Sequence, residues 1–284
     1  MRISRAIFYK VGMYPIIDHY YEPLSNPRHL SRPLSDDRNL PAVDFNLEGQ
    51  LELLKKFNFN AELSAIPFDQ KAPLTFYYHN GSYESGDAEF LYNMVRHHKP
   101  KRIIEIGCGL STLMIQQAAI KNKEENESNA IDHICVEPYE MAWLEQLPVN
   151  VKRSKVEDLP LDFFKSLNKG DILFIDSSHV VRPQGDVLFE FLEILPTLNA
   201  GVVVHVHDIF TPKDYPREWV VDEGKIWTEQ YLLEAFLSYN SNFKIVGALN
   251  YLHHQHREAL AAKCPILANE QDREPGAFWI EKIK

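Results

Sequence analysis

The stretch Arg102-Ile-Ile-Glu-Ile-Gly-Cys-Gly-Leu-Ser-Thr112 is the most informative part of the sequence for the fold, because a short apolar run there enters a turn that contains two glycines. The β-branched residues before Gly107 predict a buried strand. Gly107 and Gly109 let the backbone turn tightly and approach a ligand without an intervening Cβ. A helix is predicted to follow over residues 111–122. The stretch therefore predicts a strand, a turn that can approach a ligand, and a helix.

Helix and strand signals alternate on both sides of this stretch. Predicted helices cover residues 85–98, 111–122, 139–146, 160–167, 183–198 and 227–239, and predicted strands cover 102–106, 131–136, 149–154, 171–176, 201–206, 243–249 and 277–283. Such alternation is typical of a parallel sheet wrapped by helices. A polar surface insertion is predicted at 121–130. A polar loop is predicted between the last two strands, and it carries His253, His254 and His256.

The chain is predicted to divide into an N-terminal extension at residues 1–72 and a main domain at 73–284. The extension is rich in Pro, Tyr, Asp and Arg, and only residues 47–57 keep a helical period. Its aromatic residues, Tyr14 and Tyr20 among them, predict that it packs on the main domain or on a second subunit. Covering an acceptor pocket and forming a homo-oligomer are therefore both open roles.

Composition excludes several classes of partner. A formal net charge of −10 disfavours general binding of nucleic acid, because such binding needs clustered Lys and Arg. No apolar run approaches the roughly 20 residues that span a bilayer, so a cytoplasmic protein without membrane contact is expected. Three widely spaced cysteines give little support for a disulfide framework or a Cys-based zinc site. A small-molecule partner is predicted.

The residues that follow each strand are the candidates for ligand binding, because ligands of open α/β sheets bind outside the carboxyl ends of the strands. Glu137 ends the second strand, and its carboxylate suits the two hydroxyls of a ribose. A dinucleotide fold expects a third glycine where Thr112 stands and an acidic residue after about 20 residues. Glu137 lies 30 residues beyond Gly107 (137 − 107), and Ser111 or Thr112 can instead cap the helix.

Five ordered motifs resemble the class I S-adenosylmethionine-dependent methyltransferases. The motifs are Glu105-x-Gly107-x-Gly109, Glu137, Val156-Glu157-Asp158, Phe174-Ile-Asp176-Ser-Ser-His179 and Gly201-Val-Val-Val-His-Val-His207-Asp208. The resemblance spans roughly residues 76–284. It is to small-molecule O-methyltransferases, the branch of the catechol and macrocin O-methyltransferases and the cephalosporin-biosynthesis methyltransferase. It implies an α/β, Rossmann-like sheet of seven strands with the last strand antiparallel and helices on both faces.

The resemblance also implies where S-adenosylmethionine binds. Gly107 and Gly109 would lie under its methionine part, Glu137 on its ribose, and Glu157 or Asp158 by its adenine. The segment Tyr83-Glu-Ser-Gly86 stands where the family often contacts the amino-acid end of the cofactor. The full set expected to bind the cofactor is Tyr83, Ser85, Glu105, Gly107, Gly109, Ser111, Glu137, Glu157, Asp158 and Asp176.

Asp176, His179 and Asp208 are the expected catalytic residues. His179 stands where catechol-type enzymes carry a catalytic Lys, and an ordinary histidine pKa of about 6.5 would leave it neutral and able to take the proton of an acceptor hydroxyl. His207-Asp208 stands where those enzymes place Asp-Asn as magnesium ligands. Asp176 and Asp208 suit Mg²⁺, whereas adding His207 suits Mn²⁺, iron or zinc better.

Methyl transfer from S-adenosylmethionine to a hydroxyl of a small molecule, with His179 as candidate base, is the predicted function. Trp219 and Trp227 lie beyond the fifth strand, where lids of acceptor pockets are found in this fold, so an aromatic pocket is expected. Two alternatives stay open. One is a nicotinamide-dependent oxidoreductase, disfavoured by the missing third glycine, and the other is a methyltransferase fold kept as a binding module.

Overall fold

A single seven-stranded sheet organises the computed structural model, which describes residues 7–13, 15–19, 21–23 and 26–284. The strands are β1 Arg102–Ile106, β2 Asp132–Val136, β3 Asn150–Lys152, β4 Ile172–Ile175, β5 Val203–Val206, β6 Phe243–Ala248 and β7 Phe278–Lys282. They run in the order β3-β2-β1-β4-β5-β7-β6. Strand β7 is antiparallel to β5 and β6, and the other pairs are parallel. The predicted sheet with an antiparallel last strand is confirmed.

Helices cover both faces of this sheet. They are α1 Leu47–Lys56, α2 Asn60–Ser64, α3 Asp87–His98, α4 Leu110–Glu125, α5 Leu161–Phe164, α6 Asp186–Phe189 continuing through a π-helical turn Glu190–Ile194 to Leu195–Thr197, α7 Glu229–Leu237, α8 Leu249–Gln255 and α9 Arg257–Ala261. Alternate residues of β4 enter two different cores, Phe174 on one face and Leu173 on the other. The alternation follows from the two-residue period of a strand. Within the part of the chain described, no helix is both long and apolar enough to cross a membrane.

The N-terminal part contributes to the main core. Leu54 of α1 and Leu63 of α2 are buried in the same cluster as Phe90 of α3, and the rings of Phe57 and Phe90 lie 5.4 Å apart. The helix predicted at 47–57 is confirmed as α1, and α2 was not foreseen. Tyr14 and Tyr20 lie outside the described residues, as do 1–6, 24 and 25. The division at residue 72 and the second subunit stay predictions.

The helix predicted between β2 and β3 was wrong, whereas the polar surface insertion predicted before β2 is mostly exposed and starts inside α4. The helix predicted at 139–146 is reduced to a 3₁₀ turn at Leu144–Gln146. The reason is local. The Glu137 carboxylate accepts hydrogen bonds from the N–H groups of Tyr139 and Glu140 at 2.9 Å each, and the chain bends there. The insertion predicted at 121–130 is helical up to Glu125, the last residue of α4.

The prediction of a histidine-rich loop between the last two strands was also wrong. It forms α8 instead, and His253 is buried in that helix. Leu249 and Leu252 anchor the helix in the core, which outweighs the polar composition of the segment. His254 points outward and pairs with Glu274 at 2.8 Å.

Candidate functional site

A cavity of about 760 Å³ opens at the carboxyl ends of β1, β2, β4 and β5. The order of the strands reverses between β1 and β4, so the cavity lies at the switch point where ligands of such sheets bind. Its wall contains residues that follow each of these strands, namely Gly107, Glu137, Asp176 and Asp208. The structure therefore brings together side chains that are up to 101 residues apart in sequence (208 − 107).

The glycine turn depends on Gly107 far more than on Gly109. Gly107 has φ +74°, and a Cβ there would lie 1.8 Å from the carbonyl oxygen of Asp176. Gly109 is extended, with φ −173°, and the nearest atom to a Cβ would be Cε of Met141 at 4.0 Å. The expectation that both glycines are needed for the turn is thus corrected, because only Gly107 has a backbone conformation and a neighbour that exclude a side chain.

Glu105 lies under the glycine turn and not in the cavity wall. Its buried carboxylate accepts hydrogen bonds from Ser111 Oγ at 2.6 Å and Thr112 Oγ1 at 2.9 Å, and lies 2.8 Å from His133 Nε2. Thr112 Oγ1 in turn accepts the N–H of Gly109 at 3.2 Å, which fits its predicted capping role. The expected cofactor contact of Glu105 is corrected to a positioning role, since its side chain faces the start of α4.

Glu137 lines the cavity with its carboxylate fixed by backbone amides. One oxygen accepts the N–H groups of Tyr139 and Glu140, and the other accepts that of Cys108 at 3.4 Å. A carboxylate offers about four lone-pair sites, so this one keeps capacity to accept a further hydrogen bond. The arrangement presents a preoriented acceptor beside the glycine turn.

The remaining residues expected to bind the cofactor fall into two groups, those that line the cavity and those that lie outside it. Tyr83, Ser111 and Glu157 line the cavity. Ser85 is buried elsewhere, where its hydroxyl donates to Glu270, and Asp158 is exposed outside the cavity. The expected contacts of Ser85 and Asp158 are therefore corrected. Ser85 lies two residues before the start of α3 and turns toward the C-terminal segment, which the local sequence does not reveal.

Two aspartates and a histidine converge beside the glycine turn. His179 Nε2 lies 3.3 Å from Asp176 Oδ1 and 3.5 Å from Asp208 Oδ2. One oxygen or nitrogen of each residue falls within 4.8 Å of the other two, as a metal site requires. His207 was expected as the third ligand, and its Nδ1 lies 3.5 Å from Asp176 Oδ1 and 3.6 Å from Asp208 Oδ1, while its Nε2 faces Asp87 at 3.6 Å. His179 thus joins the two aspartates as a candidate ligand that was not foreseen, and His207 as a ligand stays a prediction.

His179 is charged at neutral pH in this environment. Burial works against its charge, but Asp176 and Glu229 outweigh burial and raise the pKa of His179 to about 10. Burial likewise opposes the charge of Asp176, and His207 and His179 hold its pKa well below the ordinary range. The expectation of a neutral His179 near pH 7 was wrong, since an imidazolium has no free lone pair to accept a proton.

Aromatic side chains form part of the cavity wall, as predicted for Trp219 and Trp227. Lys225 Nζ lies 4.1 and 4.4 Å from the centroids of these two rings. The Trp227 ring also packs on His179, with centroids 4.2 Å apart. Lys225 and Glu229 were not singled out in the sequence, because neither belongs to a strand end and no local pattern marks them.

Comparisons with known proteins find a family match and a sequence relative. Residues 104–209 match the family model of a methyltransferase domain. The chain is 27% identical over 167 residues to an uncharacterized protein of Archaeoglobus fulgidus, a match that covers 54% of this chain and 74% of that protein.

Two solved structures are similar at low identity. The O-methyltransferase from Bacillus cereus in complex with SAH is 14% identical, with a TM-score of 0.39 over 84% of this chain and 91% of that one. The O-methyltransferase TomG from Streptomyces achromogenes, involved in tomaymycin synthesis and solved with SAM, is 14% identical, with a TM-score of 0.41 over 87% and 92%.

The matched domain contains the glycine turn, Glu137 and the cluster of Asp176, His179 and Asp208. The sheet around it has seven strands with the last one antiparallel, as the class I methyltransferases do. Residues 104–209 are a methyltransferase domain.

Proposed function

We propose that this enzyme transfers a methyl group from S-adenosylmethionine to a hydroxyl oxygen of a small molecule. One observation carries the proposal. A single cavity is bounded by the ribose acceptor Glu137 on one side of the switch point and by Asp176 and Asp208 on the other. Cofactor and acceptor can therefore be aligned in one space, which is the main requirement of an in-line methyl transfer.

The cavity wall fits S-adenosylmethionine, whose sulfonium supplies the methyl group when it is bound. Glu137 would accept from the ribose hydroxyls, and Glu157 would lie by the adenine. The open side of Gly109 leaves room for the methionine part beside Tyr83. Asp176 would place a negative charge near the cationic sulfonium.

The cluster of Asp176, His179 and Asp208 fits a divalent cation, which would lower the pKa of an acceptor hydroxyl. Two carboxylates and one imidazole converge there, a donor set that suits Mn²⁺, iron or zinc better than Mg²⁺. His179 would then be a ligand that has given up its proton. The alternative is His179 as a base without metal, which requires the neutral imidazole that its raised pKa makes scarce near pH 7.

Calorimetry with S-adenosylmethionine and, separately, with NAD tests the cofactor. We expect micromolar binding of S-adenosylmethionine and of its demethylated product, and no binding of NAD. A screen of hydroxylated metabolites with S-adenosylmethionine then identifies the acceptor by the mass of the methylated product. Binding of NAD in place of S-adenosylmethionine would favour an oxidoreductase.

Glu137→Ala is expected to weaken the binding of S-adenosylmethionine by about 1.5–3 kcal/mol, the range for hydrogen bonds to a charged group. Asp158→Ala is the matched control, because this carboxylate is exposed outside the cavity. Isothermal titration measures both affinities. An unchanged affinity in Glu137→Ala would remove Glu137 from the ribose site.

A chelator is expected to abolish turnover, and Mn²⁺ or Mg²⁺ to restore it. Asp208→Asn should reproduce the effect of the chelator, since it removes one negative ligand from the cluster. Initial rates with a methylatable acceptor give the readout. Full activity in the presence of the chelator would favour His179 as a base that acts without metal.

A further inference from the structure

The start of α7 holds His179 through both its side chain and its backbone. Glu229 Oε2 accepts a hydrogen bond from His179 Nδ1 at 2.8 Å. The N–H groups of Thr228 and Glu229 donate to the carbonyl oxygen of His179 at 2.8 and 3.1 Å. His179 itself has φ +59°, a left-handed conformation that side chains seldom adopt. Three hydrogen bonds from α7 therefore fix a residue whose backbone conformation is unfavourable by itself.

These contacts determine the direction of the imidazole ring. With Nδ1 engaged by Glu229, Nε2 faces Asp176 and Asp208 at 3.3 and 3.5 Å. The Trp227 ring covers one face of the imidazole. A histidine that binds a metal usually donates its other ring N–H to a carboxylate, which fixes its tautomer and orientation. The contact between Glu229 and His179 has this form.

A role in packing does not explain a carboxylate at position 229. Glu229 is fully buried, and its Oε1 has no hydrogen-bond partner among the residues described. Burying a carboxylate is costly unless it is paired, and an apolar side chain would stabilise this core position better. The partner that Glu229 does have is His179, so the carboxylate is explained by its hydrogen bond to the imidazole ring, which orients that ring.

We propose that Glu229 is a positioning residue that holds His179 Nε2 toward Asp176 and Asp208 and so preforms a three-ligand site for a divalent cation. The proposal rests on the proposed function, because it assigns the cluster to cation binding. Glu229 acts through His179 and is not itself a ligand.

Glu229→Leu tests the proposal, because it removes the acceptor and keeps a side chain of similar size. We expect its affinity for Mn²⁺, measured by electron paramagnetic resonance of the free ion, to fall 10–100-fold. The affinity for S-adenosylmethionine should stay unchanged. Glu229→Gln keeps an acceptor oxygen and should retain most of the Mn²⁺ affinity. Glu234→Gln is the control on the same helix, since Glu234 contacts Arg38 and Thr211.

Proton NMR supplies a readout that does not need the cation. The hydrogen-bonded Nδ1–H of His179 should give a downfield resonance that is missing in His179→Ala and lost in Glu229→Leu. If Glu229→Leu does not fold, the same resonance is measured in the wild-type protein with added Zn²⁺, and that measurement tests the proposal. His179 should then keep its Nδ1–H resonance, and loss of that resonance on Zn²⁺ binding would overturn the proposal.

Other outcomes separate the proposal from the function on which it rests. Wild-type Mn²⁺ affinity in Glu229→Leu would overturn it, and so would an equal loss in Glu234→Gln. A wild-type protein that binds no Mn²⁺ would overturn the cation site. In that case, loss of the resonance in Glu229→Leu would still support Glu229 as the residue that orients His179.

Discussion

His179→Ala is expected to lower turnover by a factor of about 10²–10⁴ and to leave the affinity for S-adenosylmethionine unchanged. The imidazole lies beside Asp176 and Asp208, whereas Glu137, the proposed ribose acceptor, follows β2 on the other side of β1. The loss should therefore appear in kcat. Steady-state kinetics with the true acceptor and calorimetry with the cofactor separate the two quantities.

The pH dependence of the rate distinguishes a base from a ligand. Burial opposes the charge of His179, but Asp176 and Glu229 raise its pKa to about 10, so the neutral imidazole becomes abundant only as the pH approaches that value. A metal-free rate that uses His179 as base should therefore rise with pH toward about 10. A rate supported by Mn²⁺ should already be high near neutral pH, because a bound cation displaces the proton from His179 Nε2.

The contradicting outcome for His179 is specific. Near-normal turnover of His179→Ala on the true acceptor, with chemistry shown to be rate-limiting, would remove His179 from both roles. Alignment of the cofactor and the acceptor would then remain as the source of catalysis.

Gly107→Ala is expected to weaken the binding of S-adenosylmethionine at least about 100-fold, or about 2.7 kcal/mol. The new Cβ would lie 1.8 Å from the carbonyl oxygen of Asp176, so the ends of β1 and β4 must separate. The left-handed backbone conformation adds on the order of 1–3 kcal/mol of strain. The cavity wall and Asp176 would move together. Calorimetry gives the affinity, and thermal unfolding gives the accompanying loss of stability.

Gly109→Ala is the matched control for this substitution. Its extended backbone accepts any residue, and the nearest atom to the new methyl group would be 4.0 Å away. We expect a wild-type Tm and a lower affinity for the cofactor, because the methyl group enters the space assigned to the methionine part. Wild-type affinity in Gly107→Ala would show that the turn tolerates a side chain and that the cofactor does not depend on it.

The sequence allowed the sheet and one side of the site to be predicted, because those features are local. The run before Gly107 became β1, and Glu137 at the end of β2 lines the cavity beside the turn. Each was legible from a strand period followed by a residue whose chemistry suits a ligand. The antiparallel last strand came from the resemblance and not from the pattern of β7 itself.

The predictions that failed depended on contacts across the fold. Glu229 lies 50 residues from His179, and the charge of that histidine comes from this distant carboxylate as well as from Asp176. The helix predicted at 139–146 was lost to the Glu137 side chain, which competes for backbone N–H groups. Neither effect has a period or a spacing that a single sequence displays.

The hydrogen bonds around Glu105 bear on the entropy of cofactor binding. Ser111 and Thr112 donate to its buried carboxylate, which ties the glycine turn to the first turn of α4 through the protein's own side chains. A turn held in this way has little conformational freedom left to lose when a ligand docks on it. Less of the free energy of the contacts is then spent on ordering the turn, so more of it appears as affinity for the cofactor. The turn has its binding shape before a ligand arrives.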